Sequence, residues 1–320
     1  MRDGLTVVVA SRRDEAAGIV ALELALADGG PLPAFEPGSH IDVELGTGLI
    51  RQYSLVGDCR RRDRYVIGVL RDPGSRGGST AVHELLLTGR EVRISEPRNN
   101  FPLDEGAVRT LLFGGGIGIT PLLCMAERLV ERGKTFELHY AARSSDAVAF
   151  RTCLQRSDMA PSVHVHLDDG PDQQRIDPDR DIGTFAAGQH LYVCGPGGLI
   201  DFILDSARRR GWPDEALHRE YFTAAPIKAE SDAGFTIRLA RDGRDLHVAP
   251  HETVAEVLVA AGIDLPMSCE QGVCGTCLTR VIEGMPDHRD LFLSDAEHLA
   301  NREFTPCCSR SLTPVLVLDL

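Results

Sequence analysis

Short apolar runs broken by Gly, Pro and Asp fill the first hundred positions, and Ile41–Leu45, Gln52–Val56 and Tyr65–Leu70 read as strands. That texture predicts a small antiparallel β-barrel. From Val108 the pattern changes: Arg109–Phe113 reads as a buried strand, a glycine cluster follows, and Leu122–Arg132 has helical apolar spacing ending at Gly133. Phe136–Ala141, Val163–Leu167 and Leu191–Cys194 are further buried-strand candidates, and their alternation with helices predicts an α/β doubly wound domain around a parallel sheet. Ala224 to Gly234 is small, polar and without apolar period, as a tether is. Beyond it, Phe235–Leu239 and Leu246–Val248 flank Asp242-Gly243 as a hairpin, and Thr253-Val-Ala-Glu256 is a capping-box pattern opening a helix that ends at Gly262. The expected organisation is therefore a β-barrel over 1–103, an α/β domain over 104–225, a linker over 226–233 and an α+β domain over 234–320.

The chain's 320 residues, 43% apolar and 25% charged, suit two or three globular cores. No run approaches the roughly 18 apolar residues of a membrane span, and no signal peptide is visible at the start. With 34 basic against 47 acidic residues the net charge is −13, which repels phosphate backbones and anionic lipid. Neither nucleic acid nor membrane is expected as a partner. Nine cysteines without an export signal favour metal or redox chemistry over a disulfide framework, so a reducing cytoplasm is expected; the chain is also expected to be a monomer.

Cys269, Cys274 and Cys277 are spaced C-x4-C-x2-C, and Cys307 follows after 29 residues. This is the ligand arrangement of a plant-type [2Fe-2S] cluster, in which four thiolates hold two irons. Gly272 and Gly275 let the intervening loop curl and aim backbone N–H groups at the sulfurs. A structural zinc site is the alternative, but it usually takes two close cysteine pairs. Cys308 competes with Cys307 as fourth ligand, and the spacing favours Cys307. Cys59, Cys124 and Cys153 stand alone and read as small buried hydrophobes.

Gly114-Gly115-Gly116-Ile117-Gly118-Ile119-Thr120-Pro121 lies between a predicted strand and a helix, where backbone can approach a pyrophosphate at the helix N-terminus. Pro121 suits a first helical turn and Thr120 a cap, so a purely structural turn explains part of the run. A second such turn, Gly195-Pro196-Gly197-Gly198, follows Leu191–Cys194, and two crossover turns at one sheet edge make a crevice. Cys194 ends its strand there, where its polarizable sulfur can meet a nicotinamide. Nicotinamide delivers two electrons at once and a [2Fe-2S] centre takes one, so a flavin is needed between them. Arg51-Gln52-Tyr53-Ser54, on a strand of the first domain, offers it a cation, an aromatic face and a hydroxyl.

R-x-Y-S, G-I-G-I-T-P, C-G-P and C-x4-C-x2-C, in that order, resemble the phthalate dioxygenase reductase type of the ferredoxin–NADP+ reductase superfamily, which includes vanillate demethylase reductases. The resemblance covers essentially the whole chain. It implies FMN rather than FAD in the barrel, with Arg51, Tyr53 and Ser54 against the isoalloxazine and Ser54 bonding its N5. It also implies Val69 and Arg71 along the ring edge, and Arg76, Gly77, Gly78, Ser79 and Thr80 around the phosphate. Glu220-Tyr221-Phe222 resembles the family's E-x-F element, which gives Phe222 the place over the flavin that nicotinamide takes. Ser54, Cys194 and Phe222 are then the expected catalytic residues.

The resemblance implies a relay from NADH through FMN and the cluster to an oxygenase component, a Rieske non-haem iron oxygenase, with a cytochrome P450 as the alternative acceptor. A carrier or sensor module without turnover is the rival from another class, and it would need neither nucleotide nor flavin. Arg143 and Ser144, after the second strand of the α/β domain, are positioned to greet a 2′-phosphate, which leaves NADPH open beside NADH. Arg60-Arg61-Arg62 with Arg64 reads as a solvated face, with docking of an acidic partner as the alternative.

Overall fold

Alternating burial at the start of β1 (Leu5–Ala16), where Val7 and Val9 are fully buried, Thr6 and Ala10 exposed and Val8 half-buried, shows why the N-terminal segment becomes one wall of a barrel. The computed structural model describes residues 4–46, 49–74, 77–222 and 232–320. β2 (Ile19–Ala25), β3 (Ser39–Glu44), β4 (Ile50–Ser54), β5 (Tyr65–Leu70), β6 (Glu91–Ile94) and the short β7 (Arg98–Asn99) join β1 in an antiparallel sheet of order β4-β3-β6-β1-β2-β5, with β7 beside β3. The end strands meet: Leu55, just past β4, bridges Ile67 of β5, and the Val56 N–H donates to Val66 O at 2.9 Å. Val9, Leu22, Leu24, Ile41, Val43, Ile67 and Ile94 fill the interior, and α1 (Gly78–Leu85) adds Val82 to that core.

The α/β part follows the predicted order. β8 (Arg109–Gly115), α2 (Ile119–Glu131), β9 (Thr135–Ala142), the short α3 (Arg151–Leu154), β10 (Val163–Leu167), the short α4 (Pro178–Asp181), β11 (Gln189–Cys194), α5 (Gly197–Arg209) and β12 (Leu217–Glu220) build an all-parallel sheet of order β10-β9-β8-β11-β12. The order reverses between β8 and β11, the switch point at which such sheets open a crevice past their carboxyl ends. One expectation is corrected: Val163–Leu167 is an edge strand, with Val165 38% exposed, because no strand among the described residues pairs its outer side. Thr120 does not cap its helix either. The helix starts at Ile119 after Gly118, and the Thr120 hydroxyl donates back to Ile117 O at 2.9 Å.

The barrel and the parallel sheet form one compact unit, Met1–Phe222. Cys124 of α2 belongs to the barrel core, and a Cβ at Gly68 of β5 would fall 2.9 Å from both the Thr120 methyl and the Phe150 ring. The Phe150 N–H donates to Glu15 Oε2 at 3.0 Å across the same seam.

The second unit, Thr223–Leu320, holds β13 (Phe235–Leu239), β14 (Asp245–Val248), α6 (Val254–Ala260), β15 (Thr279–Glu283), β16 (Pro286–Asp287), α7 (Asp295–Ala300), β17 (Glu303–Phe304), β18 (Arg310–Ser311) and β19 (Val315–Leu318). Its main sheet runs β14-β13-β19-β15-β17, and only the β13–β19 pair is parallel. The predicted hairpin and the Thr253/Glu256 capping box are both present. Of the tether, 223–231 lies outside the described residues. Asp232, at its end, is buried in ion pairs with Arg289 and Arg310. Among the described residues no helix is long and apolar enough to cross a membrane.

Candidate functional site

Cys269, Cys274, Cys277 and Cys307 are all buried, none more than 8% exposed, on a loop after α6 and a turn after β17. Their sulfurs converge within hydrogen-bonding reach, Cys269 with Cys274 and Cys307, and Cys277 with Cys307. The loop's curl requires left-handed backbone at Gly272 (φ +73) and Gly275 (φ +69), and the Phe292 ring lies where a Cβ of Gly275 would stand, 2.3 Å away. Curling in this way aims main-chain donors inward: the Gln271 N–H donates to Cys269 Sγ and the Thr276 N–H to Cys274 Sγ, each at 3.4 Å. The neighbouring Cys274 and Cys307 thiols, helped by the Gln271 N–H, hold Cys269 far below the ordinary thiol pKa, while Cys307, hydrogen-bonded to three cysteines, is pushed up. A buried set of four sulfurs, two of them bonded by backbone donors, fits the thiolate ligation of an iron–sulfur cluster. Cys308 lies beside the set, its Sγ within hydrogen-bonding reach of Cys307, 3.2 Å from Thr305 Oγ1 and packed on Gly272.

At the switch point the two glycine turns pack backbone against backbone. A Cβ on Gly118 would fall 2.3 Å from Cys194 O, and one on Gly115 would fall 2.8 Å from Pro196. Gly115, Gly118 and Gly195 thus serve the crossing of the turns, whereas Gly116, Gly197 and Gly198 border open space. That space, beside the N-termini of α2 and α5, fits an approaching pyrophosphate. Ile117 is half-buried, and Thr120 and Pro121 are buried away from the opening. Arg143 is exposed just past β9.

Cys194 has no exposed surface, and burial pushes its thiol well above the ordinary range, so it is no thiolate. Phe222 packs against the core cluster that contains Cys194. Glu220 pairs in register with Cys194 across β12 and β11, and its Oε2 is buried without a hydrogen-bond partner. Burial raises its carboxyl to about 8, so it holds a proton at neutral pH. Sequence reasoning used Glu220 only as part of a motif, because the signal, a carboxyl deprived of partners, exists only in three dimensions.

In the barrel, the structure brings Arg51 and the 77–80 segment together: a Cβ on Gly78 would fall 2.6 Å from Arg51 Nε and 2.7 Å from its Cγ. Gly77 (φ +90) precedes α1, and no side chain caps the first N–H groups of that helix. An uncapped helix start beside a guanidinium suits a phosphate. Tyr53 lies on the Arg51 face of β4 by alternation, half-buried, with its phenol pKa raised by burial. Ser54 is buried, and the Gln52 amide is engaged with Asp42 at 3.1 Å. Val69 is buried, its carbonyl accepting from His83 at 3.0 Å, and Arg71 pairs with Glu84 at 2.9 Å. Ser79 Oγ accepts from the Asp72 N–H at 3.1 Å, and Thr80 lies half-buried in α1. Arg76 lies outside the described residues. Arg60, Arg61 and Arg64 pair with Asp58, Asp63 and Glu23, and Arg62 donates to Leu32 O, as a solvated face does.

A nucleotide crevice and a four-thiolate centre in one chain are the parts of an electron-transfer oxidoreductase. Residues 237–312 match the 2Fe-2S iron-sulfur cluster binding domain. The chain is 54% identical over 316 residues to a vanillate O-demethylase oxidoreductase of a Pseudomonas species, covering 99% of this chain and 100% of that one. It is 38% identical to the phthalate dioxygenase reductase of Burkholderia cepacia over 317 residues, 99% of this chain and 97% of that one. A solved phthalate dioxygenase reductase, described as a modular structure for electron transfer from pyridine nucleotides to [2Fe-2S], superposes with TM-score 0.78 at 38% identity, covering 99% of this chain and 98% of that one. The chain belongs to this family of oxygenase reductases.

Proposed function

We propose that this reductase oxidises NADH and delivers electrons singly to a Rieske non-haem iron oxygenase, one that demethylates or hydroxylates an aromatic substrate, as the 54% identical relative named for vanillate O-demethylation suggests. The observation that carries the reading is the pairing in one chain of the switch-point crevice with the buried four-sulfur centre. FMN, when bound, supplies the conversion between a hydride's two electrons and the single electrons a cluster accepts.

The chain's residues divide that work. Arg51 and the start of α1 receive the flavin phosphate, with Tyr53 and Ser54 beside the ring. The open edges of Gly116, Gly197 and Gly198 receive the dinucleotide, with Arg143 near its ribose end. Phe222 covers the Cys194 side of the crevice and excludes water until nicotinamide takes its place. Glu220, its carboxyl pushed up to about 8 by burial, favours the protonated form, so no full carboxylate charge stands beside the crevice at neutral pH. The N–H groups of Gln271 and Thr276 stabilise negative charge on the cluster sulfurs.

A second acceptor is favoured by one observation: a solved self-sufficient cytochrome P450 monooxygenase contains a region superposing on 99% of this chain, 41% of its own length, with TM-score 0.84 at 37% identity. Anaerobic titration of the purified holoprotein with NADH tests the reading. Flavin absorbance should bleach and the reduced cluster's electron spin resonance should appear, with NADPH far less effective. An unchanged spectrum would exclude the reductase.

A further inference from the structure

Strand alternation puts Leu138 and Tyr140 of β9 into the core under α2 and turns Glu137 and His139 to the opposite face of the sheet. There His139 lies in register between Phe113 of β8 and His164 of edge strand β10, its ring stacked 4.6 Å from the first and 4.8 Å from the second. We propose that Glu137, His139 and His164 form a binding site for a divalent transition-metal ion of the zinc class, separate from the electron-transfer machinery.

The hydrogen-bond chain behind His139 assigns its lone pair. His166 Nδ1 lies 2.9 Å from Gln174 O, which only accepts, so Nδ1 carries the proton and Nε2 is the acceptor. His139 Nδ1, 3.0 Å from that Nε2, therefore donates. His139 Nε2 is left as a bare nitrogen, in a residue 1% exposed and without a hydrogen-bond partner. It faces Glu137 Oε2 at 3.6 Å, too long for a hydrogen bond, and His164 Nε2 lies 3.9 Å from the same oxygen.

Three such atoms within 4.8 Å of one another need only small movements to reach the separation of about 3.4 Å between ligands on a tetrahedral zinc. His164, 47% exposed, is free to turn its ring toward the ion. The other carboxylate oxygen, Oε1, is held by Arg109 at 2.5 Å, which orients Glu137 without occupying Oε2. Two histidines and a glutamate with solvent on the open side are a zinc ligand set, and the His139–His166–Gln174 chain is the outer support that orients a metal-bound imidazole. The neighbouring grouping of His139, His166 and Asp181 is already spent: the histidines bond each other, and Asp181 is held by Arg180 and by the Asp177 N–H.

Equilibrium dialysis of the holoprotein against ZnCl2, with zinc and iron measured by elemental analysis, tests the site. Wild type should retain one zinc per chain above its iron. His164→Ala and Glu137→Gln, both on the partly exposed side, should each weaken retention at least about tenfold. Cys153→Ser should retain it, and NADH-ferricyanide activity should be unchanged in all three variants. Absence of zinc uptake by wild type would overturn the proposal. Equal affinity in wild type, His164→Ala and Glu137→Gln would overturn it too, by placing the zinc elsewhere.

Discussion

Glu220 shows how far one side chain can depart from its sequence meaning. Its carboxyl is lifted to about 8 by burial, against an ordinary value near 4.5, so the folded state favours the protonated form. The sign follows from linkage: the contribution to stability is present in full below the ordinary value and is lost as pH rises through about 8. Glu220→Gln should therefore melt like wild type near pH 4.5 and increasingly above it as pH approaches 8, as a pH series of thermal melts would show. A constant difference across that range would refute the buried acid. The cysteines are the opposite case. Cys269, Cys274 and Cys277, proposed as cluster ligands with Cys307, stand out in the sequence because their spacing is local, and the structure buries all four. Choosing Cys307 over Cys308 rested on spacing, and in the folded chain the Cys308 sulfur neighbours both Cys307 and Thr305.

The elements carry the next distinction. Period-2 and buried runs located β5 and β10 to the residue and β3, β4, β8, β9 and β11 to within a few, because strand pattern is local. The edge position of β10 was not legible, since a strand's neighbours are set by chain crossovers. Helix α1 was read only as a polar phosphate loop, its few apolar positions overshadowed by Arg76 to Thr80. The two glycine turns looked alike in sequence, yet they divide between packing and opening. Gly118→Ala places a methyl against the Cys194 carbonyl and should cost about 1–3 kcal/mol. That lowers the melting temperature of the first unit by about 2–4 °C per kcal/mol. Gly197→Ala meets no atom within 4 Å, so it should leave the melt unchanged and raise KM for NADH by crowding the pyrophosphate. Calorimetry with steady-state kinetics separates the two outcomes.

On the scale of the molecule, the residues proposed for nucleotide and flavin lie in Met1–Phe222 and the cysteines proposed for the cluster in Thr223–Leu320. Losing one cluster ligand should then leave the first half of the relay working. Cys274→Ser should keep NADH-dependent ferricyanide reduction and lose cytochrome c reduction. Equal loss of both would contradict the order of electron transfer. Element order, the four-cysteine spacing and the glycine turns were available from the linear chain, because each depends on residues near one another along it. The union of barrel and parallel sheet in a single unit, the protonated state of Glu220 and the bare nitrogen of His139 came only from the folded chain. Each depends on which distant groups exclude water or withhold a hydrogen bond, and packing alone sets that.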